Sequence, residues 1–181
     1  ITVTKKVNLY GAKKGINPNV KGSDILQPWT LNPNRGSGES VRTGLLSIKS
    51  TGNVTGDGFT VDKAGQIRMD CSTQDIDVTV QNIVVGKNGT RTDHLLMASP
   101  DIASNNTVPA RGNYKLDLTF KNVYADGYKG TGHFIHWLAV GSTTLDNIYY
   151  AIQLPFSHVY LSHNILSFLK NRLPIEFHFC Y

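Results

Sequence analysis

Three aspartates have the type and setting to do chemistry: Asp75, Asp77 and Asp117, the last close to Lys115 and Arg111. Two carboxylates at a suitable separation act as acid and base in glycoside cleavage. Several together hold a calcium ion through oxygen. A lysine or arginine beside them would neutralise the carboxylate of a uronic acid or abstract a proton. Asp77 and Asp117 lie 40 positions apart, so they meet only if the chain returns to the same place.

A repeated phrase indicates that it does. TGDGFTV (55–61), TVQNIVV (79–85), TFKNVYA (119–125) and TLDNIYY (144–150) share one frame: a threonine, two variable residues, an asparagine or in the first copy a glycine, then an apolar residue. The threonines are 24, 40 and 25 positions apart, and periods of this size mark a stacked repeat. A looser copy, LSHNILS, puts Asn164 in the asparagine slot. Aligning the copies sets Asp75 against Lys115 and Asp77 against Asp117, on the outward face of neighbouring strands. Alternating outward charge is also what any solvated strand carries.

Period-two alternation supplies the strands. Ile76, Val78 and Val80 alternate with Asp77, Thr79 and Gln81, and Leu116, Leu118 and Phe120 alternate with Asp117, Thr119 and Lys121. The same parity turns Asn82 and Asn122 inward, with Asn147 and Asn164 in their column. A buried amide needs a partner, and stacked strands about 4.8 Å apart let successive asparagines bond to one another. Tyr124 and Tyr149 take the outward slot two past the asparagine. Exposed there, they would offer a platform to the apolar face of a sugar, with Trp137 and Tyr128 near the same side. Equally, they would stack on each other or lie under a loop.

Further apolar segments, LLSIKS, QIRMDC, HLLMAS and HFIHWLAV, fall between the copies, giving two or three short strands per period. The expected fold is all-β: one domain over 1–181, a parallel β-helix of about five coils with two loop excursions at 11–40 and 99–113. The excursions would project from the coils, with Trp29, Arg35 and Arg111 as walls of a groove, or cover apolar seams. Residues 165–181 have the apolar density to cap the last coil. Strand Ile1 to Leu9 has an open edge, which the first excursion would cover or which would pair with another chain, making it the expected surface for self-association.

Composition narrows the partners. At 17% charged and 40% hydrophobic, the 181 residues can fill a core. The net charge of +5 is scattered rather than gathered into a stripe, so nucleic acid is not expected. A preference for acidic polysaccharide accounts for it as well. No apolar run approaches the roughly 18 residues of a membrane helix, so no membrane insertion is expected. Cys71 and Cys180 have no metal spacing; they would be paired or buried singly, and buried thiols are the favoured expectation. His133 and His136, three apart on a strand, face opposite sides and do not share an ion.

The opening ITVTKKVNLYGAKKG resembles the entry strand of pectate-lyase-like right-handed β-helix proteins, and GNVTGDGFTV resembles the phrase with which many of them begin a coil. The inward asparagines are similar to that family's asparagine ladder. The resemblance implies a right-handed β-helix and an extracellular or cell-surface location, among polysaccharide lyases and hydrolases, phage tailspikes, adhesins and surface-layer proteins. The polygalacturonase-like motifs NTD, DD, GHG and RIK are missing. Two functions follow as expectations. One is a non-catalytic module, without cofactor, that binds a polysaccharide or surface glycan or takes part in adhesion and assembly. The other is a lyase or hydrolase of an acidic polysaccharide, with Asp75, Asp77 and Asp117 as acid and base or as Ca2+ ligands and Lys115 or Arg111 at the uronate.

Overall fold

The structure is a computed structural model of the chain and describes residues 1–22, 29–49, 52–62, 65–71, 73–85, 95–98, 114–128, 135–137 and 141–152. These residues form strands and turns, with no helix among them, and traverse two parallel sheets five times. The first pass comprises β1 (Thr2–Val3), β2 (Val7–Tyr10), a hairpin of β3 (Asn19–Lys21) and β4 (Trp29–Leu31), and β5 (Val41–Arg42). The second comprises β6 (Leu45–Lys49), β7 (Val54–Asp57) and β8 (Thr60–Val61). The third is β9 (Gln66–Asp70) and β10 (Ile76–Val85), the fourth β11 (Leu96–Ala98) and β12 (Leu116–Tyr128), and the fifth β13 (Ile135–Trp137) and β14 (Thr143–Ile152).

Each sheet is ordered as the chain runs. One is β1-β6-β9-β11-β13; the other is β2-β7-β10-β12-β14, with β5 and β8 continuing it beside the second half of β10. Every neighbouring pair in both is parallel, and only the hairpin β3–β4 is antiparallel. The repeated frame is the register itself: Thr79 lies opposite Thr55 and Thr119, and Thr119 opposite Thr144.

The alternation explains the core. Inward residues of the larger sheet, such as Val54, Val78, Val80, Leu118 and Phe120, are buried with Val3, Ile48, Ile67, Met69 and Leu96 of the smaller one. Burying a side chain such as Phe120 contributes about 1.5–3 kcal/mol. Cys71, at the end of β9, is a fully buried free thiol whose Sγ reaches the Tyr114 carbonyl at 3.8 Å. Burial pushes its pKa up, and the charges of Asp70 and Asp75 push the same way.

Two expectations are corrected. Ile1 to Leu9 is not one strand: the chain bends at Lys5, so β1 joins the smaller sheet and β2 the larger, and Ile1 stays 67% exposed. The described residues of the excursion 11–40 do not project from the sheets. They fold back along the larger sheet through the hydrogen bonds described below. Residues 99–113 and 165–181 lie outside the described residues.

Candidate functional site

The larger sheet bends at one column, occupied by Gly58, Asn82, Asn122 and Asn147, with φ of 77°, 54°, 51° and 55°. Asparagine is among the few side chains that tolerate this left-handed backbone. The bend turns its amide toward the interior, where it finds its own kind. Asn147 Nδ2 donates to Asn122 Oδ1 at 2.8 Å, Asn122 Nδ2 to Asn82 Oδ1 at 2.9 Å, and Asn82 Nδ2 to Asp57 Oδ1 at 2.7 Å.

The first copy departs from asparagine for a visible reason. A Cβ on Gly58 would overlap the backbone of Lys13 and Lys14, where the excursion crosses the bend. The neighbouring Asp57, 4% exposed, closes the ladder instead. Burial alone would push the Asp57 carboxyl up. Its hydrogen bonds from Asn82, the Gly15 N–H and Gln81, together with the Lys14 charge, outweigh that and hold its pKa below the ordinary aspartate value.

A left-handed residue also frees backbone carbonyls from the ladder between strands, and the excursion supplies donors for them. Arg35, 4% exposed, donates through Nη1 to Asn82 O at 3.0 Å and Ile16 O at 3.1 Å, while its Nε and Nη2 grip Glu39 at 2.6 and 3.0 Å. Burial would raise the Glu39 pKa, but Arg35, the Gly36 N–H and the Thr60 hydroxyl hold it down. Further along, Asn19 Nδ2 donates to Asn147 O at 2.7 Å and Val123 O at 3.2 Å.

Alternation inverts at the bend. Ile76, Val78 and Val80 are buried before Asn82, and Ile83 and Val85 after it. Before the bend, the outward side of the larger sheet carries ranks of polar residues in register. Asp77 faces Asp117; Thr55, Thr79, Thr119 and Thr144 form the next rank; Asp57, Gln81, Lys121 and Asp146 form the third. Within that last rank Gln81 Nε2 donates to Asp57 Oδ2 at 2.9 Å and the Lys121 ammonium lies 2.9 Å from Asp146. Tyr10 extends it onto β2, with the Lys14 ammonium 3.6 Å above its ring.

The candidate acids fall into two kinds. Asp75 Oδ1 accepts the backbone N–H of Lys115 at 2.7 Å, and Asp117 Oδ1 accepts the N–H and hydroxyl of Ser142 at 2.8 and 2.6 Å. Each thereby ties the entry of one strand to the next pass. Asp77 is exposed and has no partner among the described residues, and the Lys115 side chain is exposed as well. Arg111 and Asn164 lie outside the described residues. Among those described, no three His, Cys, Asp or Glu side chains converge on a metal position.

Of the two readings of the tyrosine pair, an exposed platform and a mutual stack, the structure has the stack. Tyr124 is 4% exposed, covered by Tyr149, whose ring stacks on it at 5.0 Å and 30°. Strand β3 meets β12 next to it, where Asn19 Nδ2 donates to the Val123 carbonyl. Tyr149 is half-buried. Trp137 belongs to β13 in the smaller sheet, whereas Tyr124, Tyr128 and Tyr149 belong to strands of the larger one. Of the proposed groove walls, Arg35 is internal. Sequence reasoning missed Asn19 and Tyr10, and named Arg35 without its internal place. Nothing periodic marks Asn19 or Arg35, whereas Tyr10 precedes Gly11 as Asp57 precedes Gly58, a further copy of the frame with asparagine in the threonine slot.

No family model, curated protein or solved structure matches this chain.

Proposed function

We propose that this chain is a right-handed parallel β-helix module of the pectate-lyase-like kind that acts outside the cell or on its surface, binding an extended carbohydrate in adhesion without cleaving it. The observation that carries this reading is the in-register row Thr55, Thr79, Thr119 and Thr144, half-buried to exposed and flanked by ranks of carboxylate, amide and ammonium groups. Hydroxyls repeated about every 4.8 Å on a rigid sheet offer a polyhydroxylated chain donors and acceptors at fixed intervals. The two parallel sheets, ordered as the chain runs, support the β-helix, and the amide ladder fits the same architecture.

The test is retention on immobilised polysaccharides, acidic and neutral. The wild-type chain is expected to be retained on at least one, and the pair Thr79→Val with Thr119→Val to lose that retention while melting as before. A wild-type chain retained on none would sink the reading.

One observation favours an enzyme as a second reading. Asp77 and Asp117 are directly opposed on parallel neighbours about 4.8 Å apart, close to the roughly 5–5.5 Å that a retaining carboxylate pair needs. Asp117 is already engaged by Ser142, which is why this reading stands second. Release of reducing or unsaturated ends from an acidic polysaccharide, abolished by Asp77→Asn, would promote it.

A further inference from the structure

The outward side of the larger sheet does not share the charge of the chain. The net charge is +5. Before the bend, however, the outward residues of β10, β12 and β14 include three carboxylates, Asp77, Asp117 and Asp146, against one ammonium, Lys121. That ammonium is engaged within its own rank, 2.9 Å from Asp146. On the other flank of the threonine row Asp77 lies opposite Asp117, and among the described residues neither is paired with a cation. Lys115 stands beside Asp75, whose carboxylate accepts its backbone N–H. The remaining lysines nearby are too far to matter. Lys13 and Lys14 cross the bend at Gly58, in the column of Asn82, five positions or about 16 Å along the strand from Asp77. Lys6 precedes β2, which lies two strands from β10, about 10 Å away. Both separations exceed the Debye length of about 8 Å at physiological salt. Thr79, two positions from Asp77 on the same face, is only about 7 Å away.

We infer that the threonine row takes a polymer of amino sugars whose amines are free and protonated, with one ammonium between Asp77 and Asp117 and the neighbouring hydroxyls on Thr79 and Thr119. This names the substrate class of the site proposed above and rests on that reading. Two carboxylates opposed across one strand spacing repel each other, and an ammonium between them relieves the repulsion while donating to both. Oxygens are available for it: Asp77 is exposed without a partner among the described residues, and Asp117 gives only Oδ1 to Ser142. The carboxylate of a uronic acid in the same place would add a third negative charge. An N-acetylated sugar would bring no charge to answer the pair.

The probe is a short chitosan oligomer, titrated calorimetrically into the full chain in weakly acidic buffer, with chitin and galacturonate oligomers of the same length as comparisons. Chitosan is expected to bind at least about tenfold more tightly than either. Asp77→Asn combined with Asp117→Asn should remove that preference. Asp77 is exposed, and an asparagine at 117 keeps an oxygen for Ser142, so this variant is expected to fold, as circular dichroism would show. Thr79→Val with Thr119→Val should weaken the binding of chitosan itself. Chitin or galacturonate bound as tightly as chitosan, and lost in the threonine variant, overturns this inference while carbohydrate binding at the row stands. If no oligomer binds, the inference falls, and retention on the immobilised polysaccharides decides the reading beneath it. A chitosan preference that survives the aspartate variant, chitosan binding untouched by the threonine variant, or oligolysine bound as tightly as chitosan overturns it too, because charge elsewhere or charge alone would then be recognised.

Discussion

Asn122 Nδ2 donates to Asn82 Oδ1 at 2.9 Å although 40 positions separate the two residues. The bond has a direction, and the direction is kept: every amide in the column gives its proton toward the first pass, and the last acceptor is the Asp57 carboxylate. Aligned amide dipoles ending on a negative charge reinforce one another.

Replacing Asn122 with Ala would leave Asn82 Oδ1 without its donor and Asn147 Nδ2 without its acceptor. Each stranded group costs about 1–3 kcal/mol, less at the half-buried Asn147 end. Alanine must also hold φ near 51°, at roughly 1–2 kcal/mol. Asn122→Gly removes the backbone strain and keeps the lost bonds, so urea unfolding should rank wild type above the glycine variant and that above alanine.

Asp57 makes acid stability a test of the ladder. Its folded pKa is depressed, so the stability it contributes is present above the unfolded value of about 3.9 and is lost as pH falls through the folded value. Asp57→Asn should therefore lower stability at neutral pH and flatten the loss seen in acid. Some acid sensitivity should survive, because the Glu39 pKa is depressed too. Thermal melts between pH 7 and pH 2 decide; an unchanged acid limb in the variant would contradict the assignment.

The Arg35–Glu39 pair should behave as one unit. Arg35→Met leaves a nearly buried carboxylate and the Asn82 and Ile16 carbonyls without their guanidinium, at a cost of about 3–5 kcal/mol. Adding Glu39→Met should recover part of that loss. A double-mutant cycle that proves additive would mean that the pair is not coupled.

Gly58→Asn would make the first copy agree with the other three, a change of the kind that usually stabilises repeats. Here it should destabilise, because the new Cβ meets the Lys13–Lys14 backbone. Displaced from the bend, the excursion should become sensitive to trypsin at those lysines. A variant as resistant as wild type would refute that account.

What the sequence could show follows from what repeats. The threonine frame translates directly into strand register because parallel neighbours share one spacing along the chain, and the all-β, parallel character followed from the same periodicity. Of the two readings of Tyr124, sugar platform or ring stacked on Tyr149, the sequence could not choose, because alternation places a side chain on a face without showing what lies over it; the structure shows the stack. Arg35 was equally opaque: a lone arginine in a glycine-rich loop gives no sign that it ends against the Asn82 carbonyl. The acidic column was legible as geometry but not as role, since the Asp75 and Asp117 bonds run to backbone N–H groups of the next pass, which side-chain types do not reveal.

The excursion also changes how the molecule should come apart. Strands that touch only their neighbours melt from the ends, each unit with its own transition. Asn19, reaching Asn147 across 128 positions, and Arg35, reaching Asn82 across 47, instead fasten the first pass to the third and fifth. Fraying of the fifth pass must break that strap, so its loss is felt in the first pass. Such long closures are costly to form and reward the chain late. The strap should therefore bind the described passes into a single, shared melting event.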